Sequence, residues 1–263
     1  MDNIEEKIEQ RLRGSIEEYF RGKEVKTIHP LDLIFPKERR IRSLIGGLET
    51  SLGTRLWEPL AELFAELNGF EVLDKKQFNK LVPKIPREIR HKISNFEDKK
   101  LNNPLISHSE FFNHISDYIT QENICDLNFK KIPKGEGVDI WLKKGGTEYL
   151  IDIKTVQINA GSGPKFNKNL LNWYAYCALK RTKLRYKCLV AFPYNPHHPH
   201  DYWAREGGKV KPLTPSSEAL VGDEFWDFLS GIDGTTKLIF NTFKRLGKQG
   251  FGDQFNDIFE GKL

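Results

Sequence analysis

The chain of 263 residues begins with apolar residues at a regular spacing. They recur every fourth position, with charged residues between them: Ile4, Ile8, Leu12, Ile16 and Phe20. This spacing predicts an amphipathic helix over residues 4–21, because positions three and four apart share one face of a helix. Further apolar spacing predicts helices over residues 38–50 and 54–68, so the N-terminal part should be mainly helical.

The pattern changes in the middle of the chain. Residues 137–142 and 148–154 alternate in the manner of strands, and the turn at 143–146 would join them as a hairpin. A helix is predicted over 167–180 and a buried strand over 186–192. The order strand, strand, helix, strand predicts an α/β fold with a mixed central sheet flanked by helices.

Three other stretches are less regular. Residues 71–104 are rich in lysine and contain several prolines, so they predict connections and short irregular elements rather than core. A short helix is expected over 109–120. Residues 223–263 predict an aromatic, helical C-terminal segment that belongs to the core or to a dimer interface.

Composition is that of a globular protein, with 38% hydrophobic and 29% charged residues, and favours one large domain over residues 1–263. The formal net charge of +5 permits a polyanionic partner without requiring one. Cys125, Cys177 and Cys188 are an odd set without metal-ligand spacing, which argues against a disulfide framework and a zinc knuckle. With neither a signal peptide nor a long apolar run in view, we expect a soluble cytoplasmic protein.

The predicted hairpin carries two carboxylates and a lysine. Asp152 and Lys154 are two positions apart on the second strand and should project from the same face, while Asp139 lies on the first strand beside them. Two adjacent carboxylates repel, and a hard divalent cation relieves that repulsion. An ordinary edge hairpin with a surface Asp–Lys pair is the alternative, and the apolar residues around Asp152 argue against it.

The segments Gly137-Val-Asp139 and Asp152-Ile-Lys154 resemble the PD-(D/E)xK motif of the restriction-endonuclease-like nuclease fold, with Val138 in place of the motif's proline. The resemblance implies that Asp139, Asp152 and the carbonyl of Ile153 bind Mg²⁺. It also implies a glutamate from a preceding helix, for which Glu49 is the candidate. A solvated helix carboxylate is the alternative for Glu49.

The wider pattern is similar to type II restriction endonucleases that cut GGNCC-type sites. The similar segments are residues 46–54, Asp152–Thr155 with its Gly-rich sequel, and Pro193–Pro196. This resemblance implies a double-stranded DNA substrate, a homodimer and a cognate DNA methyltransferase in the same system. Residues 126–205 would be the catalytic core, between a helical part over 1–125 and a helical segment over 206–263.

Polar residues near the hairpin are candidates for contacts to DNA. Phosphate or base contacts are predicted for the following residues: Gln157, Lys165, Asn167, Lys168, Asn169, Asn172, Arg181, Asn195 and His197. Residues 155–169 could instead be a flexible polar loop, and 180–187 a solvated helix end. The histidines of 196–201 lack the spacing of a zinc site and fit a DNA-facing loop or a surface turn.

Three functions remain open at this point. The first is a sequence-specific double-stranded DNA endonuclease that depends on Mg²⁺ and leaves 5′-phosphate ends. The second is a structure-specific repair or recombination nuclease of the same fold, and the third is a non-catalytic DNA-binding protein. The third is disfavoured because Asp139, Asp152 and Lys154 are all present.

Overall fold

A computed structural model supplies the structure of the chain. It describes the following residues: 2–25, 29–124, 127–154, 158–159 and 161–261. Contacts between Cα atoms divide the chain into two compact units. The first comprises the residues up to Leu63 and from Ile232 onward, and the second runs from Phe64 to Gly231. The single domain expected over residues 1–263 stays a prediction.

The first unit is helical. Its elements are α1 (Asp2–Phe20), α2 (Pro36–Leu52), a π-helical turn (Gly53–Trp57), the first residues of α3 (Glu58–Leu67), α10 (Thr235–Lys248) and α11 (Asn256–Glu260), with 3-10 turns at Pro30–Leu33 and Phe251–Phe255. The period-four pattern of α1 is confirmed. Ile8 and Leu12 are fully buried, and Phe20 packs on Phe255 with ring centroids 4.4 Å apart.

The second unit is built on a five-stranded mixed sheet with the order β1-β4-β5-β6-β7. Its strands are β1 (Glu71–Val72), β4 (Ile140–Lys144), β5 (Thr147–Ile153), β6 (Arg185–Phe192) and β7 (Ala219–Val221). The pairs β1–β4 and β4–β5 are antiparallel, and β5–β6 and β6–β7 are parallel. The predicted mixed sheet flanked by helices is thereby confirmed, and β5 lies at its centre.

The hairpin β4–β5 is present, with the register Ile140↔Ile151. Gly145 and Gly146 form the turn with φ of 56° and 73°, the positive values that a type I′ turn requires. The first strand begins at Ile140, so Asp139 immediately precedes it instead of lying within it. Its backbone N–H still donates to the carbonyl of Ile151 at 3.0 Å, which continues the pairing by one residue.

Helices cover the sheet of the second unit: α4 (Lys75–Lys80), α5 (Arg87–Asn102), α6 (His108–Gln121), α7 (Ser162–Leu179), α8 (Tyr202–Val210) and α9 (Asp223–Ser230). A two-stranded ribbon joins β2 (Val82–Pro83) to β3 (Phe129–Lys130). The expected helices near 109–120 and 223–263 are confirmed. No helix of the described residues is long and apolar enough to cross a membrane.

The expectation for residues 71–104 was wrong. This stretch contributes α4 and α5, and Phe78, Val82, Ile89 and Ile93 belong to the main hydrophobic core. The buried residues of α5 are Ile89, Ile93 and Lys100, so its buried apolar stripe is narrow, and lysine and arginine occupy much of the rest of the helix. A narrow stripe among many cations gives little signal of burial, although it suffices to anchor the helix.

Helix α7 begins at Ser162, not at residue 167 as predicted, so the polar loop predicted over 155–169 was wrong from residue 162 onward. Gly161 is its N-cap, with φ of 86°. Gly163 permits close packing, because a Cβ there would lie 1.9 Å from the carbonyl oxygen of Lys211. The first turns of α7 are therefore a fixed surface beside the end of β5.

Candidate active site

Asp139 is held against β5 through its backbone and its side chain. Its carboxylate Oδ2 accepts a hydrogen bond from the N–H of Ile153 at 2.8 Å, and its own N–H donates to Ile151. The ammonium of Lys75, on α4, donates to the Asp139 carbonyl oxygen at 2.6 Å. These three contacts orient the carboxylate toward the part of β5 that carries Asp152.

Asp152 lies near the end of β5, opposite Val190 of β6, and is only 2% exposed. Lys154 follows two residues later, and its Nζ lies 2.5 Å from Asp152 Oδ1. Strand alternation therefore brings these two side chains together as the sequence predicted. The Lys154 side chain keeps 34% of its area exposed, so the ion pair opens toward solvent on its lysine side.

Electrostatics separates Asp152 from an ordinary surface carboxylate. The pKa of Asp152 is raised to about 7: burial is the largest cause, the Lys154 ammonium acts in the opposite direction, and the neighbouring Asp139 carboxylate adds to the rise. Two carboxylates thus lie close together at the end of β5, with the Lys154 ammonium against Asp152 and the Lys75 ammonium at the Asp139 carbonyl oxygen. The repulsion between the two carboxylates, when both are charged, favours a further cation.

The residues present fit Mg²⁺. Asp139 and Asp152 offer hard carboxylate oxygens side by side, and their mutual repulsion would be relieved by a cation. The described residues contain no group of three or more His, Cys, Asp or Glu arranged for a metal. Mg²⁺ does not need one, because it keeps several water ligands and is commonly bound through one or two carboxylates.

A cleft of about 320 Å³ lies beside the ion pair, and we call it the Asp152 cleft. Its lining residues are Gly135, Glu136, Asp152, Lys154, Ile158, Asn159, Ser162, Lys165, Phe166, Lys168, Asn169 and Asn172. Four residues predicted to contact DNA are among them, all on α7: Lys165, Lys168, Asn169 and Asn172. The side-chain Oδ1 of Asn169 is buried and has no hydrogen-bond partner in the described structure.

Asn167 is not part of this lining. It is 1% exposed, and its Oδ1 lies 2.7 Å from Nε2 of the buried His108 on α6. Helical geometry separates it from Lys165 and Lys168, since neighbouring residues project about 100° apart. The structure gives Asn167 a packing contact, and we leave it out of the proposed DNA contacts.

The remaining candidates lie outside the Asp152 cleft. Asn195 accepts from the N–H of His197 at 2.8 Å and donates to the carbonyl of His200 at 2.8 Å, so its amide stabilises its own loop. His197 Nε2 lies 2.9 Å from Glu206 Oε1. Arg181 is an exposed residue after α7, with φ of 52°.

Two further candidates stay predictions. Gln157 lies outside the described residues. Glu49 is an exposed residue of α2, in the first unit. Its surroundings within that unit do not show whether it belongs to the active site.

Sequence reasoning missed Glu136 and Lys75. Glu136 lines the Asp152 cleft, and its backbone carbonyl accepts from the Trp173 indole at 2.7 Å, which fixes this residue against α7. Its position directly before Gly137-Val-Asp139 was a usable signal. Lys75 had none, because its contact with Asp139 spans 64 positions of sequence.

The family model of the type II restriction endonuclease HinfI matches residues 1–247, which is nearly the whole chain and includes Asp139, Asp152 and Lys154. The chain belongs to the HinfI family of type II restriction endonucleases. The resemblance to type II restriction endonucleases is thereby confirmed. The similarity to enzymes cutting GGNCC-type sites stays a prediction.

A curated relative of this HinfI-family chain is the type II restriction enzyme MjaII of Methanocaldococcus jannaschii. The two are 26% identical over 220 residues, which cover 81% of this chain and 56% of MjaII. The chain therefore spans about half the length of the curated relative that it matches. No solved structure matches the chain.

Proposed function

We propose that this chain is a sequence-specific double-stranded DNA endonuclease that depends on Mg²⁺. The observation that carries the proposal is the buried Asp152 carboxylate, paired with Lys154 and facing Asp139 at the edge of a cleft, in a chain of the HinfI family. Perturbed acids that share a cleft with a lysine are typical of catalytic sites. Type II restriction enzymes provide the reaction class, hydrolysis of phosphodiester bonds.

In this proposal the carboxylates of Asp139 and Asp152 and the carbonyl of Ile153 hold Mg²⁺. When bound, the ion lowers the pKa of a coordinated water and stabilises charge on a phosphoryl oxygen. The chain's own contribution is orientation: the N–H of Ile153 fixes the Asp139 carboxylate, and the rigid strand fixes Asp152. Glu49 is the proposed additional carboxylate.

Lys154 has the second role in the proposed reaction. Its ammonium lies beside Asp152 yet remains partly exposed to the cleft, so it can reach a water or a phosphate oxygen there. We assign it the orientation of the attacking water and the neutralisation of charge that develops on the phosphate. The products would be 5′-phosphate and 3′-hydroxyl ends.

Helix α7 supplies the proposed contacts around the scissile phosphate. Lys165 and Lys168 are exposed at the Asp152 cleft and are suited to phosphates, while Asn169 and Asn172 offer amide groups to phosphate or base atoms. Gln157, Arg181, Asn195 and His197 remain candidates for contacts farther along the duplex. Because such sites are often symmetric, we expect a homodimer. The expected setting is the cytoplasm, with a cognate DNA methyltransferase in the same system.

The test is digestion of phage DNA with Mg²⁺ and, in parallel, with EDTA. Discrete fragments with Mg²⁺ and intact DNA with EDTA would support the proposal. A branched junction that is cut while linear phage DNA stays whole would favour a structure-specific nuclease. If no divalent ion produces cleavage of either substrate, the nuclease proposal fails and a non-catalytic DNA-binding protein becomes the better interpretation.

A further inference from the structure

A second cleft, of about 330 Å³, lies in the same unit, and we call it the Arg90 cleft. Helix α5 forms one wall, with Arg90, Ile93, Ser94 and Glu97 at the three- and four-residue spacing of a single helix face. The other lining residues are Lys84, Ile85, Lys130, Pro133, Glu136, Lys168, Asn172 and Tyr176.

The Arg90 cleft adjoins the Asp152 cleft. Glu136, Lys168 and Asn172 line both, so the two share a wall made by α7 and the segment that leads to Asp139. Lys168 and Asn172 therefore belong both to the proposed contacts around the scissile phosphate and to the Arg90 cleft.

Cations dominate the lining of the Arg90 cleft. Lys84, Arg90, Lys130 and Lys168 carry four positive charges against the two carboxylates of Glu97 and Glu136. All four cations are exposed. Within the described ranges of the chain, the structure records no ion pair for Lys84, Arg90 or Lys130, so their charges are available to a ligand. By contrast, Lys143, elsewhere in this unit, pairs with Glu71.

We propose that the Arg90 cleft binds backbone phosphates of the DNA strand on one side of the scissile phosphate. This inference rests on the proposed function and extends it to α5 and to the β2–β3 ribbon. Unpaired exposed cations gain by displacing the counterions of a duplex, and the lining residues shared with the Asp152 cleft place these cations beside the proposed site of cleavage. Phosphate is favoured over bases because the lining offers ammonium and guanidinium groups in an open cleft.

The chain contains a matched pair of cations to test this. Arg90 and Lys99 are both exposed residues of α5, but Lys99 lines a different crevice, together with Lys92 and Phe111. Arg90→Ala and Lys99→Ala each remove one positive charge from the same helix. A general effect of net charge would be equal in the two variants, whereas a phosphate contact would be lost only with Arg90.

The measurement is binding of a fluorescently labelled random-sequence duplex in EDTA, over a series of salt concentrations. Arg90→Ala should weaken binding several-fold and reduce the slope of log K against log salt by about 0.9, the value of one lost phosphate contact. Lys99→Ala should leave the slope unchanged. Glu97→Gln should act with the opposite sign and tighten binding, because it removes a negative charge from the lining of the cleft.

Equal slopes for Arg90→Ala, Lys99→Ala and the unchanged protein would overturn the inference. Thermal melting of each variant verifies that it is folded. Digestion of phage DNA by the unchanged protein separates this failure from failure of the proposed function. If cleavage depends on Mg²⁺ but the slopes of log K against log salt are equal, only the proposed role of the Arg90 cleft is wrong. If the protein neither binds nor cuts DNA, both proposals are wrong.

Discussion

Two buried carboxylates of the second unit have opposite surroundings. Glu218, just before β7, is contacted by Lys100 at 2.9 Å, and Lys100 is itself fully buried. Asp152 is also buried and paired with a lysine, but Lys154 is one-third exposed and a second acid, Asp139, faces the pair. Both clusters contain a buried acid and a lysine. They differ in the presence of a second acid and in the exposure of the lysine to solvent.

In the Glu218 cluster, the ion pair of Lys100 and Glu218 has its hydrogen-bonding groups satisfied, whereas Nδ1 of the adjacent His108 has no hydrogen-bond partner in the described structure. The carboxylate accepts from the N–H groups of Thr214 at 2.9 Å and His108 at 3.2 Å. The Lys100 ammonium also donates to the carbonyl oxygen of Ile106 at 2.7 Å and contacts that of Pro104 at 3.4 Å. A buried ion pair with its remaining donors and acceptors satisfied is a structural element, because nothing is left over for a ligand.

The Asp152 cluster is open to a ligand. The pair of Asp152 and Lys154 faces a second carboxylate, Asp139, and borders a cleft that also contains the unpartnered Oδ1 of Asn169. The comparison shows that burial of an acid does not by itself indicate a functional site. A second acid beside the first, together with access to a cleft, is the better indicator.

The largest expected effect follows from removing the exposed lysine. Lys154→Ala should lower the rate of DNA cleavage about 10²–10⁴-fold, the range for loss of a positioned acid–base group. The melting temperature should change little, because Asp152 can take up a proton when its partner is lost. Rates of plasmid cleavage and melting curves check both. Cleavage at the unchanged rate would remove Lys154 from the proposed mechanism.

Replacing the buried Lys100 should lower stability and leave cleavage intact. Lys100→Met removes one partner of a closed ion pair and should lower the free energy of unfolding by about 3–5 kcal/mol. Cleavage per folded molecule should persist, because Lys100 lines neither the Asp152 cleft nor the Arg90 cleft. Urea unfolding followed by circular dichroism measures the first quantity. A variant as stable as the unchanged protein would contradict the structural role of the Glu218 cluster.

The change of melting temperature with Mg²⁺ should distinguish Asp152 from Glu218. Mg²⁺ should raise the melting temperature of the unchanged protein, since a ligand at 100 times its dissociation constant stabilises by about 2.7 kcal/mol. Asp152→Asn should abolish this response. Glu218→Gln should melt lower yet keep the rise with Mg²⁺. If Asp152→Asn retains the full response, the metal does not bind where we propose.

The hairpin and its three charged residues were predictable because the alternation of β4 and β5 is local, and Asp152 and Lys154 are only two residues apart. The start of α7 was not predictable in the same way. Gly161, Gly163 and Pro164 are typical of a loop, but they are an N-cap, a close contact with Lys211 and a first-turn proline.

Long-range contacts account for most of what the sequence could not predict. The bond of Asn167 to His108 spans 59 positions, and that of Lys100 to Glu218 spans 118. No local pattern indicates which face of α7 each asparagine occupies, so Asn167 and Asn169 were equivalent in the sequence. The sheet and the packing of α6 separate them. One is buried against a histidine and the other lines the Asp152 cleft.

The smallest expected effect is a dependence of stability on pH through His108. Burial lowers the pKa of this histidine, with Lys100 acting in the same direction, while Glu218 and the hydrogen bond to Asn167 Oδ1 oppose them. The unfolded chain takes up a proton near pH 6.5, whereas the folded chain resists it. Stability from this group is therefore complete above about pH 6.5 and is lost as the pH falls, by at most about 1.4 kcal/mol per pH unit.

Asp152 must be replaced by a residue that does not titrate for that measurement. Its pKa is raised, so its contribution to stability changes with pH in the opposite direction. An acid with a raised pKa stabilises the fold as the pH falls, so it would mask His108. Urea unfolding at about pH 7.5 and about pH 5.5 in an Asp152→Asn background should show a loss on acidification. Adding His108→Gln should reduce that loss, and adding His91→Gln, at an exposed histidine of α5, should not. Equal losses in the two double variants would show that burial does not keep the folded chain from protonating His108.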